Sequence, residues 1–380
     1  VSIAPAGYYC TNNAKTDYQF APPSTAWDVC GRDGHWRNRE GDQPFFAVFN
    51  PTVTHESGMW PRDDENIKTD PGAVELPPYI PDTHKAREAL ARHYDNLERA
   101  DARLGEVLAE LEEDGLTEST IVVLWSDHGE GLPRGKRWLY DAGIRIPLIV
   151  RWPGRVPPGE VSDRLVSLVD LGPTMLSLAG IAPPAHMQGQ PFLGDAAIER
   201  EYVYAARDRH DEAYDMVRAV RDTQYKYIRN YHPELPYLLW IPYRNRHPAL
   251  QEMWRLYAEG MPEPPLDVMF RPRPSEELYD TDVDPYELNN LAADPQYQAD
   301  VRRMRGALRS WQDEHRDLGQ VPEAEMVERM WPGGEQPEAA RPTFVPICDA
   351  SPGMIAMPEG GALDGPALLQ LHCSTQGASI

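Results

Sequence analysis

Residues 121–154 read IVVLWSDHGEGLPRGKRWLYDAGIRIPLIVRWPG. The β-branched apolar run from Ile121 to Trp125 has the composition of a buried strand. It stops at Ser126-Asp127-His128-Gly129, so a carboxylate and an imidazole stand side by side at the strand's carboxyl end. In open α/β sheets that edge is where ligands and ions bind. A glycine-rich turn then returns Lys136 toward the same edge, and a second apolar run, Ile146 to Trp152, closes the unit as another buried strand. Ion-binding groups and a lysine at one sheet edge suit the ester of an oxyanion.

Working outward, Pro44 introduces a short strand, Phe45 to Asn50, which leads into a polar loop containing His55. The first forty residues are turn-rich and read as irregular backbone. After a proline-laden loop, Leu97, Leu104, Leu108 and Leu111 recur at helical spacing, predicting a helix from His84 to Glu113 that Asp114-Gly115 ends. Ser167 to Gly180 reads as a short helix with Gly180 as its C-cap. Beyond residue 200 the texture changes to short alternating segments, Tyr202 to Ala206, Met216 to Arg221 and Tyr225 to Asn230. The last two are joined by Asp222-Thr223-Gln224, a hairpin signal. Tyr231 to Pro274 reads as a loop rich in Pro, Arg and Trp. A helix from Pro295 to Asp317 carries Val301, Met304, Leu308 and Trp311 on one face. The tail from Pro322 onward is rich in Pro and Gly and reads as extended or disordered.

The 380 residues carry 60 acidic and 37 basic side chains, a net charge of −23. That argues against a nucleic-acid-binding surface, which needs a basic footprint. It also sits poorly with a long polyanionic ligand unless the cleft is locally basic. No apolar run approaches the roughly 20 residues of a membrane span. Cys10, Cys30, Cys348 and Cys373 show no CxxC spacing, so no zinc site is predicted, while one or two bridges stay open. The chain starts Val1-Ser2-Ile3 without Met or a charged-then-apolar leader, so an upstream segment is expected. A signal peptide in that segment would place the protein in the periplasm or outside the cell; otherwise it is cytoplasmic. Oligomeric state is not legible in the sequence.

Each candidate side chain has a plainer reading beside the functional one. Asp127 could cap the next turn and His128 satisfy a core hydrogen bond, but their place between a strand and a lysine-bearing turn favours a hard divalent ion. Lys136 is pulled inward by Trp138-Leu139-Tyr140, and an inward lysine needs an anionic partner. Arg134 and Arg137 beside it read as solvated charges. His55 could protonate a leaving alcohol, since imidazole titrates near neutrality. Lys15 is a weaker candidate.

Together these segments resemble the sulfatase family of the alkaline phosphatase superfamily over most of residues 6 to 315. Ile121 to Gly154 follows the family's strand-end signature nearly position by position. Val166 to Thr174 with Ala179-Gly180-Ile181 is similar to its next helix, and Glu277 to Asp280 with Asp284 to Leu291 to its C-terminal motif. Pro44 to His55 resembles the segment with the family's active-site histidine, and Ala6 to Lys15 the segment with its first active-site lysine. The resemblance implies an α/β fold: an alkaline-phosphatase-like sheet sandwiched by helices, with a smaller C-terminal antiparallel sheet plus helix. It implies a catalytic domain over 1–200, a C-terminal α+β subdomain over 201–320 and a tail over 321–380.

By the same resemblance Asp127 and His128 are metal ligands, for Ca²⁺ foremost, with Mn²⁺ or Zn²⁺ as alternatives. Lys15 and Lys136 hold the sulfate of a sulfated small molecule or carbohydrate, and His55 helps expel the alcohol. Asp17 stands in the substrate contact where the family has a histidine. The family's two further metal aspartates and its Cys- or Ser-X-Pro-X-Arg motif, source of the formylglycine nucleophile, are expected upstream of Val1. Cys10 and Cys30 lack the Pro-X-Arg that would replace it. The rival readings are a phosphodiesterase or phosphonate monoester hydrolase of the same superfamily, and a non-catalytic anion- or glycan-binding remnant. Made alone, the 380-residue chain is expected to show little or no hydrolase activity; multiple turnovers on an aryl sulfate would refute that.

Overall fold

The computed structural model describes residues 3–18, 26–62, 66–260, 262–335, 338, 340–347 and 368–373. In chain order the elements are β1 (Tyr9–Asn13), β2 (Val29–Cys30), β3 (Phe45–Phe49), α1 (His84–Glu113), β4 (Val122–Trp125), α2 (Asp141–Ile144) and β5 (Leu148–Arg151). Then follow α3 (Leu171–Leu178), β6 (Val203–Arg207), β7 (Val217–Arg221), β8 (Tyr225–Asn230), α4 (Pro248–Glu259), β9 (Glu276–Asp280), α5 (Gln298–Glu314), α6 (Glu323–Met330), β10 (Thr343–Ile347) and β11 (Leu368–His372). They divide into two compact units, one of Val1–Asn50, Met175–Pro183 and Gln320–Ile380, the other of Pro51–Thr174 and Pro184–Gly319.

The first unit holds a parallel sheet in which β1 lies between β2 and β3. This corrects the expectation of irregular backbone before residue 40. The strand Tyr-Cys-Thr-Asn-Asn has no apolar alternation, yet its middle residues Cys10, Thr11 and Asn12 are buried. Asn12 is held by the Asn50 amide, which donates to its Oδ1 at 2.9 Å. Polar strands satisfied by side-chain amides escape a hydrophobic pattern. The C-terminal tail is also more regular than expected: α6 forms, and β10 pairs antiparallel with β11. Cys10, Cys30 and Cys373 are free thiols, and Cys348 lies outside the described residues.

In the second unit α1 spans His84–Glu113, with the Thr83 hydroxyl accepting from the Ala86 amide as N-cap. Its buried positions cluster in the N-terminal half, at Ala86, Ala89, Leu90, Ala91 and Asn96, whereas Leu97 of the expected leucine face is 45% exposed. Strands β4 and β5 pair antiparallel, Val122 opposite Arg151 and Trp125 opposite Leu148. Neither is fully buried, and Ile149 is 59% exposed, which corrects the reading of both as core strands.

The sheet β6-β7-β8-β9 is antiparallel throughout. Asp222 closes its β7-β8 turn by accepting at Oδ1 from the Gln224 and Tyr225 amides. Successive residues point to opposite faces. Val220, Tyr227 and Leu278 therefore pack on Val301, Met304 and Leu308 of α5, burial that stabilises by about 1.5–3 kcal/mol per side chain. Val217, Ala219, Ile228 and Tyr279 face the other way, onto Trp138, Leu139 and Tyr140. The expected Pro-, Arg- and Trp-rich loop contains α4, whose Ala249, Leu250 and Met253 join the same core. So the sheet is covered on both sides, and one side carries the turn that follows Lys136.

That turn is also held by buried charge. Lys226, on β8, is fully buried and pairs with Asp141 and, at 2.9 Å, with Glu287. Arg221 reaches Asp141 from β7 at 3.3 Å. Removing one member of such a group leaves uncompensated charge in the interior. Lys226→Met is expected to cost about 3 kcal/mol of stability, read as a lowered urea midpoint with an unchanged slope.

Candidate active site

The loop after β4 is shaped by close backbone approaches. The Gly129 amide donates to the Gly143 carbonyl at 2.9 Å and the Glu130 amide to that of Ala142 at 3.0 Å. A Cβ on Gly129 would lie 2.1 Å from the Ala142 oxygen, so only glycine fits. The Ser126 hydroxyl donates to the His128 carbonyl at 2.6 Å. His128 Nδ1 lies 2.8 Å from the Gly129 carbonyl oxygen. That oxygen can only accept, which assigns the imidazole proton to Nδ1 and leaves the Nε2 lone pair for a ligand. Asp127 Oδ1 is 3.7 Å from that Nε2, and the carboxylate is 70% exposed. The pair thus offers one carboxylate and one neutral imidazole, a donor set that fits a divalent cation. Among the described residues no group of three or more His, Cys, Asp or Glu is arranged as a complete metal site.

Lys136 faces a buried carboxylate. Its Nζ lies 3.3 Å from Glu56 Oε1, and Arg137 grips both Glu56 oxygens with Nη1 and Nη2 at 2.8 Å. Burial alone would push the Glu56 carboxyl up; the Arg137 bonds and the Lys136 charge hold it instead at about 2, against a usual 4.5. The loop packs directly on this group, since a Cβ on Gly131 would come within 2.7 Å of Glu56 Cβ. His55 sits between two short 3₁₀ turns. The Ser57 amide donates to its Nδ1 at 3.3 Å, which places the proton of the neutral ring on Nε2. Lys15 and Asp17 belong to the first unit, where they pair at 3.4 Å just beyond β1, with Asp17 75% exposed.

The second unit therefore brings together Asp127 with His128, and Lys136 with the His55-Glu56 turn. Arg134 and Arg137 are not solvated charges. Arg134 is 1% exposed, donates to the Tyr286 and Glu287 carbonyls and stacks 3.8 Å over Tyr140. Arg137 has a 4% exposed side chain. Sequence reasoning also missed Glu56, Arg207 and Arg244. The only local signal was the apolar Trp138-Leu139-Tyr140 run, which draws its neighbours inward with it.

Residues 34–181 match the family model described as Sulfatase, and residues 129–259 that of N-sulphoglucosamine sulphohydrolase, C-terminal. The chain is similar to an ulvan-active sulfatase of Formosa agariphila, 40% identical over 413 residues that cover 99% of this chain and 66% of the relative. It is 31% identical to the human N-sulphoglucosamine sulphohydrolase over 295 residues, 72% of this chain and 58% of that one. It thus spans 66% or less of the length of these curated relatives. Among solved structures, a 2-O GAG sulfatase superposes with a TM-score of 0.55 at 18% identity, over 84% of this chain and 75% of the other. A protein in complex with its substrate D-glucosamine-2-N,6-O-disulfate gives 0.54 at 15%, over 84% and 83%. Those likenesses are of fold, and they bear out the α/β architecture with its smaller antiparallel sheet and helices.

Because the folded Glu56 carboxyl is depressed, its pairing stabilises fully above the unfolded value near 4.5 and is lost as pH falls through about 2. Glu56→Gln is expected to lose about 3 kcal/mol at neutral pH and to flatten the stability profile between those two pH values, measured by urea unfolding across pH.

Proposed function

Because the chain belongs to the sulfatase family, we propose that it forms part of an enzyme hydrolysing a sulfate ester on a carbohydrate. The observation that carries this reading is the loop after β4, which presents Asp127, the Nε2 of His128 and Lys136 within ten residues. Support for a sugar comes from the relatives, whose names or complexes involve ulvan, N-sulphoglucosamine and D-glucosamine-2-N,6-O-disulfate.

Asp127 and His128 would hold a divalent ion, Ca²⁺ by the hardness of the carboxylate, with Mn²⁺ or Zn²⁺ also served by the imidazole. Such an ion supplies Lewis-acid stabilisation of charge on the sulfate oxygens. Lys136 would place an ammonium on those oxygens, and in the first unit Asp17 would orient Lys15, to which it is paired, for the anion-binding role expected of that lysine. Lys136 is already aimed by Glu56, whose negative charge Arg137 neutralises in its own right, so the ammonium can turn to a second anion. His55 would give a proton from Nε2 to the departing alcohol oxygen. The oxygen nucleophile expected of this family, a formylglycine hydrate, is not encoded by a Cys- or Ser-X-Pro-X-Arg motif in these 380 residues.

The test is release of inorganic sulfate from a sulfated oligosaccharide by the whole gene product, against phosphate or phosphonate esters at matched concentration. Lys136→Ala is expected to lower kcat/KM about 100-fold. His55→Ala should lose a similar factor on a sugar sulfate but far less on an aryl sulfate, whose phenolate leaves without a proton. Faster turnover of the phosphorus esters would overturn the sulfatase reading.

A further inference from the structure

The turn between β6 and β7 borders the candidate site, and Arg137 ties it there. While Nη1 and Nη2 of Arg137 hold Glu56 at 2.8 Å, Nη2 also lies 3.9 Å from Asp211 Oδ2. The same Asp211 oxygen is 3.4 Å from His210 Nε2. Lys136 approaches Glu56 at 3.3 Å from the position before Arg137. Arg137 is therefore the common neighbour of two segments: the turn that carries His55 and Glu56, and the turn that carries His210 and Asp211. All of these residues belong to the second unit.

A tight hairpin presents the second pair. The His210 amide donates to the Ala213 carbonyl at 2.9 Å and the Ala213 amide returns a bond at 3.0 Å, so Asp211 and Glu212 form the tip. Asp211 sits at a φ of 49°, left-handed backbone that glycine adopts freely and most side chains only at a cost. A carboxylate kept where glycine would fit more easily asks for a use. Its bonding leaves one open. Arg137 spends its hydrogen bonds on Glu56, and 3.9 Å is beyond hydrogen-bond reach, so Asp211 gains charge compensation from it but no donor. The side chains of His210 and Asp211 are 38% and 43% exposed, which leaves both within reach of a ligand from solution. Partial burial, and then the positive charge of Arg137, hold the His210 imidazole below its usual range. The neutral ring offers one donor and one acceptor. A carboxylate that accepts, beside an imidazole that donates or accepts, matches neighbouring hydroxyls on a sugar ring. It does not match an anionic substituent, which Asp211 would repel.

We propose that Asp211 and His210, at the tip of the β6-β7 hairpin, form a subsite that recognises free hydroxyls on the sugar whose sulfate meets Lys136. Asp211 accepts a hydrogen bond from one hydroxyl next to the sulfated carbon, and His210 bonds the neighbouring one. The assignment rests on the reading of the chain as part of a sulfatase, and it narrows the substrate to sugars left unsubstituted beside the scissile sulfate. Asp211 and His210 determine specificity and take no part in bond cleavage.

The test compares sulfate release by the whole gene product from a monosulfated sugar with release from its mono-O-methyl ethers, each blocking one hydroxyl beside the sulfate. At least one ether is expected to show a kcat/KM about tenfold below that of the parent sugar, with the loss in KM, because a hydrogen bond to a charged group is removed. Asp211→Gly, which suits the left-handed backbone and deletes the carboxylate, should bring the parent sugar down to the level of that ether, so that the ratio falls to about one. His210→Ala should do the same for the ether of the neighbouring hydroxyl. Should Asp211→Gly fail to fold, Asp211→Asn, which tolerates the same backbone, reads the same ratio and is expected to reduce it. Equal kcat/KM for the parent and every ether in the unmodified protein would overturn the subsite and leave the sulfatase reading standing. Sulfate release from none of the compounds would remove both. A ratio unchanged in Asp211→Gly, with a lowered unfolding temperature, would mark Asp211 as a structural partner of Arg137 and overturn the subsite.

Discussion

The bidentate pair between Glu56 and Arg137 is the constraint from which the geometry of the candidate site follows. It ties the turn after β3, which carries His55, to the glycine-rich loop after β4, which carries Asp127, His128 and Lys136. A carboxylate this deeply buried is stable only with charge-assisted bonds to both oxygens, and Arg137 supplies them. Lys136 then approaches Glu56 as a second, weaker partner and keeps capacity for another anion. Replace the buried pair with apolar groups and the two segments would still pack, but nothing would orient the lysine.

Behind that pair stands the antiparallel sheet. Its one face, through Val217, Ala219 and Ile228, receives Trp138, Leu139 and Tyr140, and the fully buried Lys226 on the same face meets Asp141 and Glu287. Tyr140 adds a bond to the buried Glu277 at 2.8 Å. The end of the loop is therefore clamped by packing and by charge together, so the backbone around Lys136 has little freedom. In this sense the four-stranded antiparallel sheet, which holds none of the residues first singled out, is the support on which they rest.

What the sequence revealed and what it concealed divide along a physical line. Helix α1 was legible because the apolar spacing along it and the Asp114-Gly115 stop are local signals, and the β7-β8 hairpin because Asp222 is one too. The Asp127-His128 pair was legible from its position at a strand end. Strand β1 was not, since its buried residues are polar and Asn12 is satisfied by Asn50, which lies far along the chain. Helix α4 was masked by the prolines and tryptophans around it. Arg207 and Arg244 were hidden for a similar reason: nothing beside them in sequence says that an arginine points inward, whereas Arg137 had the apolar Trp138-Leu139-Tyr140 run beside it. The alternation of apolar and polar residues reports burial only where burial is apolar.

Arg134 donates to carbonyls 152 and 153 positions further along the chain, and Tyr140 reaches a carboxylate 137 positions away. Contacts this distant close late, because the entropy of ordering the intervening chain is lost before they form. During synthesis the loop after β4 leaves the ribosome long before residue 287 exists, while α1 before it can already coil. The candidate site is thus among the last parts of the second unit to consolidate. Nascent chains will hold the 126–144 segment open to chaperones and proteases until the distal sheet arrives to close it.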